Sequence, residues 1–108
     1  MKIELCKERS ERLWCTITAD LTDGRLSVSG HDMGPAVEEF FGDDEHEYAV
    51  SLDAANAKKL FLTLQCDDKS DEEKLQVIKR KVHGNRADSE LREYCKDHEI
   101  ETSFWCWP

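Results

Sequence analysis

The sequence predicts an α+β domain, a mostly antiparallel sheet with helices packed on one face, in the order β-β-β-α-β-α-α-α-β. Three observations lead there. The first third of the chain alternates apolar and polar residues with the period of half-buried strands. Asp23-Gly24 sits between two such runs, and a two-residue hairpin turn needs φ > 0 at both central positions. From Asp53 onward the apolar spacing changes to that of amphipathic helices, before the chain closes on an aromatic strand.

Ile3 and Leu5 share one parity, as do Leu13, Cys15, Ile17, Ala19 and Leu21. Two strands are expected, joined by a charged turn around Arg9–Glu11. Pairing Leu5 with Cys15 and Ile3 with Ile17 puts their apolar sides together. That register sets Cys6 opposite Trp14 and points Cys6 and Cys15 to opposite faces. Centring the next hairpin on Asp23-Gly24 pairs Leu21 with Leu26 and Ala19 with Val28. A three-stranded antiparallel meander is therefore expected over residues 2–31.

Pro35 suits the first turn of a helix, so Ala36 to Phe41 reads as a short helix ending at Gly42. His46, Tyr48, Val50 and Leu52 share one face of a fourth strand. Asp53 caps a helix through about Gln65, with Ala57, Leu60, Phe61 and Leu64 as its buried stripe. Ser70 and Glu73 form a capping box ahead of the stripe Leu75, Ile78 and Val82, and Gly84 stops that helix. The last helix turns Leu91, Tyr94 or Cys95, and His98 inward. In the final strand Ile100, Phe104 and Cys106 share one face, and Trp105 and Trp107 the other. The order of strands beyond the first three does not follow from the pattern.

The chain has 108 residues and no Pro/Gly/Ser linker, so one domain, 1–108, is expected. Charged residues make up 36% and hydrophobic residues 39%, and the formal net charge is −9. An acidic surface repels phosphate backbones and anionic lipid, which argues against nucleic acid and membrane as partners. A basic protein is the natural electrostatic complement. The opening "MKIELCKERS" has no apolar h-region, so no secretory signal is expected, and no stretch reaches transmembrane length. The five cysteines are odd in number, widely spaced and without a C-x-x-C pair. They read as reduced thiols in a cytoplasmic protein.

The stretch "GPAVEEFFGDDEHEYAV", with Asp32 just upstream, carries seven carboxylates: Asp32, Glu38, Glu39, Asp43, Asp44, Glu45 and Glu47. No Lys or Arg interrupts them in sequence. General acid–base work needs two carboxylates at a fixed separation in a cleft, and no motif here supplies that. An EF-hand loop needs alternating oxygen ligands and a central Gly, which "GDDEHE" lacks. A docking surface for a basic partner is the better reading. Cys95 and His98 stand at i, i+3, half of a zinc motif without its second half. No cationic activator lies near any cysteine in sequence, so a Cys/His nucleophile is no better supported. "KRK" at Lys79–Lys81 reads as a solvated helix face, and there is no Gly-rich phosphate loop. No cofactor is expected.

Parity puts Trp14, Trp105 and Trp107 together on the sheet face that the helices do not cover. Exposed aromatic patches mark interfaces, so this face is a candidate for partner binding or for a homodimer.

The segment "DGRLSVSGHDMGPAVEEFFGDDEHEYAVSL", with the end "IETSFWCWP", resembles a group of small bacterial proteins of undetermined function. They share a Gly-x-Asp-x-Gly-Pro stretch, an acidic segment with Phe-Phe-Gly-Asp, a Tyr-bearing strand and an aromatic C-terminus. The resemblance implies a bacterial, cytoplasmic, stand-alone domain and no particular chemistry. The expectation is a small acidic non-enzymatic protein-binding domain, of which an immunity-like inhibitor of a basic toxin is one concrete version. The rival is a small hydrolase-like enzyme using a carboxylate or Cys/His site. A pocket lined by Asp32, Glu38 and His46 would favour the enzyme, and a flat acidic or Trp-bearing face the binder.

Overall fold

A computed structural model describes residues 1–107. The elements are β1 (Lys2–Arg9), β2 (Trp14–Thr22), β3 (Arg25–Met33), α1 (Pro35–Phe41), β4 (Glu45–Leu52), α2 (Ala54–Thr63), α3 (Asp71–Lys81), α4 (Ala87–Asp97) and β5 (Ser103–Trp107). The fold is α+β in the expected order. All strand pairs are antiparallel, and the five strands lie in chain order, β1-β2-β3-β4-β5.

The β2–β3 hairpin follows from turn chemistry. Asp23 and Gly24 both take positive φ, 52° and 79°, as a type I′ turn requires. Leu21 then faces Leu26, and Ala19 faces Val28. Those four, with Cys15, Ile17, Val50 and Leu52, form the sheet's half of the core. Ala57, Leu60 and Phe61 of α2, Leu75 and Ile78 of α3, and Leu91 and Cys95 of α4 form the other half. Asp53 caps α2 by accepting from Asn56 N. Ser70 caps α3 by accepting from Glu73 N at 3.2 Å.

The β1–β2 register departs from expectation. Ile3 faces Ala19, Glu4 faces Thr18, and Cys6 then faces Ile17, so Leu5 is an extra, unpaired residue. This is a β-bulge, and it explains why neighbours Leu5 and Cys6 are both buried. The Leu5 carbonyl accepts from Gly84 N at 3.3 Å. Cys6 does not stand opposite Trp14 and does not point away from Cys15. The bulge turns it to the helix-bearing side, where its Sγ lies 3.9 Å from Cys15 Sγ. All five cysteines are nevertheless unbridged.

Two smaller corrections concern the C-terminal third. His98 is exposed, because α4 ends at Asp97 and His98 forms its C-cap. Ile100 is buried but precedes β5, and its N–H bonds Cys95 O at 2.8 Å.

Candidate functional site

Alternation along each strand sorts the candidate residues between the two sheet faces. Trp14 faces Met33, and Met33 faces Glu45. One step along, Lys7, Thr16, His31, Glu47 and Trp107 form a row across all five strands. The next row is Glu4, Thr18, Ser29, Ala49 and Trp105. These residues occupy the face that the helices leave open. Trp14, Trp105 and Trp107 are 42, 55 and 50% exposed.

Beside Trp105 on this face lies a shallow depression of about 280 Å³, floored by Thr16, Thr18, Ser29 and Ala49 and edged by His31 and Glu47. His31 Nε2 is 3.9 Å from both Glu45 and Glu47. Trp14 is held in place locally. Its Nε1 donates to Ser10 O at 3.1 Å, and the Arg9 guanidinium lies 4.3 Å from its ring centroid.

The carboxylates do not form one uniform patch. Glu38 and Glu39 are exposed on α1, and Glu39 is paired with Arg12 from the β1–β2 turn. That pairing follows from the docking of α1, whose Ala36 N donates to Arg12 O. Asp43 Oδ1 accepts from Glu45 N, closing the turn into β4, and Asp44 is exposed beside it. Glu45 and Glu47 extend the acidic corner onto the open sheet face. Asp32 belongs to the other side. It faces Cys15 and His46 across the sheet, and its Oδ1 is buried without a hydrogen-bond partner.

Asp32 therefore sits in a polar knot on the helix-bearing face with Cys6, Cys15, His46, Tyr48 and Asp88. Burial first, and then the Asp32 carboxylate, push the Cys15 thiol well above its ordinary range. Burial likewise raises Cys6 and Cys66, and pushes Cys95 up to about 11. Each of these thiols resists becoming the thiolate that nucleophilic catalysis needs. The His46 ring stacks flat on Phe41, with centroids 4.1 Å apart. Glu38 lies outside this knot, on the exposed side of α1. Cys95 and His98 do not converge either: Cys95 is buried, while His98 stacks on Tyr94 and its Nδ1 lies 2.8 Å from Tyr94 O. Among the described residues no group of three or more His, Cys, Asp or Glu side chains is placed to hold a metal ion.

The meeting of the acidic and aromatic sets was not visible in the sequence. Glu47 stands directly across from Trp107 in the β4–β5 pair, although three helices separate them in the chain. Only the pairing of β5 with β4 joins them. No helix among the described residues is long and apolar enough to cross a membrane. No family model matches the chain, and neither a curated protein nor a solved structure matches it.

Proposed function

We propose that this is a non-enzymatic protein-binding domain that docks a basic partner on its open sheet face and the adjoining acidic corner. The observation that carries the reading is the adjacency of Glu47 and Trp107. It makes one continuous surface of Glu45, Glu47, Trp105 and Trp107, with Asp43 and Asp44 in the turn that leads into it. Such a surface combines long-range attraction for a cation with aromatic groups that pack at short range. A net charge of −9 supplies the field. In its concrete form the domain is an immunity-like inhibitor that occludes a basic toxin, acting in the cytoplasm of a bacterium.

Affinity capture with native protein tests the reading when run beside the variant Asp43→Lys/Asp44→Lys/Glu45→Lys. A basic protein retained by the native domain and recovered in several-fold lower yield by the variant at low salt supports it. Retention unaffected by the charge reversal overturns it.

A further inference from the structure

The two edges of the sheet differ in kind. β1 has the features that keep an edge solitary: five charges in eight residues, Lys2, Glu4, Lys7, Glu8 and Arg9, and the bulge at Leu5. β5 has neither. Its sequence is Ser-Phe-Trp-Cys-Trp, every residue is exposed, and its ladder with β4 runs without a bulge. Among the described residues no backbone hydrogen bond reaches β5 from outside that ladder. An open, uncharged, aromatic edge strand is a template for another strand.

We propose that β5 pairs antiparallel with β5 of a second copy of this chain, joining two sheets into one of ten strands. The choice of a second copy rests on self-complementarity. With Trp105 at the two-fold axis, Trp105 faces the partner's Trp105, Phe104 faces the partner's Cys106, and Ser103 faces the partner's Trp107. Each large side chain beside the central pair meets a small one. Ser103 and its neighbour Ser51 leave room on the open face for the incoming indole. Residues 103–107 carry no charge, so none faces a like charge within the new ladder, and the guanidinium nearest it, Arg92, lies 4.0 Å from the Phe104 ring centroid on the helix-bearing face. The same pairing gathers four indoles, from Trp105 and Trp107 of each copy, at the centre of the extended face.

Because two acidic bodies approach each other, raising salt should strengthen this contact. A basic partner would be held less tightly under the same change, so the two associations are separable. Light scattering or sedimentation over a concentration series should show a mass rising from 12.5 kDa toward twice that value, and rising further with salt. Trp105→Lys, at an exposed position, should stay folded by circular dichroism and remain a monomer, because two ammonium groups would face each other. The register has its own test. In a Cys106→Ser background, Trp105→Cys should form an intermolecular disulfide under mild oxidation, each thiol giving up its hydrogen and the oxidant taking two electrons. Ser103→Cys should not, because residue 103 faces residue 107 of the partner. A native protein monomeric at every concentration, a dimer that survives Trp105→Lys, or equal crosslinking at positions 103 and 105 overturns the proposal.

Discussion

The ring of Tyr48 fills the space that a side chain on Gly30 would need: a Cβ built on Gly30 would stand 2.1 Å from Tyr48 Cζ. The two residues face each other across β3 and β4. The missing side chain lets an aromatic ring lie flat over the strand, and Tyr48 is buried there although it carries a hydroxyl. Burial, chiefly, pushes that hydroxyl's pKa up, with the Asp32 carboxylate adding to the rise. The ring thus separates the dry core of Val28 and Val50 from the polar knot around Asp32.

Gly30→Ala should destabilise the domain by about 1–3 kcal/mol, the usual cost of overpacking. The loss should shrink by more than 1 kcal/mol in a Tyr48→Ala background, since the ring is what the methyl group meets. Denaturant melts of the four proteins check this. Additive effects would mean that backbone preference, and not the ring, dictates glycine here.

Thiol reactivity should divide the cysteines one against four. Cys106 is exposed, whereas Cys6, Cys15, Cys66 and Cys95 are buried with thiols shifted away from the reactive thiolate. A maleimide pulse on the native protein should label one site, and the same reagent on unfolded, non-reduced protein should label five. Fewer than five after unfolding would reveal a bridge, with Cys6 and Cys15 the pair to inspect first.

Asp88, in the first turn of α4, gives a signed pH dependence. Burial raises its pKa, backbone N–H groups of that turn oppose the rise, and the Asp32 carboxylate adds to it. The folded protein therefore keeps the Asp88 proton over an interval in which the unfolded chain has lost it. Stability from this group is full below the ordinary carboxylate pKa and is lost as pH rises through the higher folded value. Asp88→Asn holds a neutral side chain throughout and keeps an oxygen for the helix terminus. It should melt higher than the native protein at pH 7, with the advantage vanishing toward pH 4. An advantage that persists unchanged in acid would place its origin elsewhere.

Elements set by local chemistry were legible in the sequence. Asp23-Gly24 can make only a few turns, and Ser70 with Glu73 specifies where α3 begins, so both appear as read; Ser70→Ala should cost about 1 kcal/mol. The parity that gathers Trp14, Trp105 and Trp107 on one face is also local, since it needs only the alternation within each strand. The β1 register was not legible. Leu5 and Cys6 are both apolar, and either can point inward; the bulge that buries both is accompanied by a hydrogen bond from Gly84, some eighty residues away. Arg12 interrupts the acidic run at Glu39 for a similar reason, because α1 docks on the β1–β2 turn. His98 was misplaced by a helix end one residue earlier than its spacing implied.

Charge and packing on the open face should separate kinetically once a basic partner is in hand. Asp43 and Asp44 border the aromatic face and Glu45 stands in its end row beside Met33, so their field reaches a partner before contact. Screening limits that field to roughly 10 Å at 0.1 M salt. Asp43→Lys/Asp44→Lys/Glu45→Lys should slow association several-fold at low salt and much less at high salt, with dissociation little changed. Trp14→Ala should do the reverse. Its indole is exposed on β2, which β3 and β4 separate from β5, so the change leaves the proposed dimer edge intact. It should shorten the residence time while association stays close to native. Its lost contacts with Arg9 and Ser10 lie in the β1–β2 turn, so a melting curve must accompany the rates. If the charge reversal altered dissociation alone, the acidic corner would be a packed contact and not a steering field. If Trp14→Ala left both rates native in a folded protein, the partner would sit on the β4–β5 half of the face, around Glu47 and Trp107.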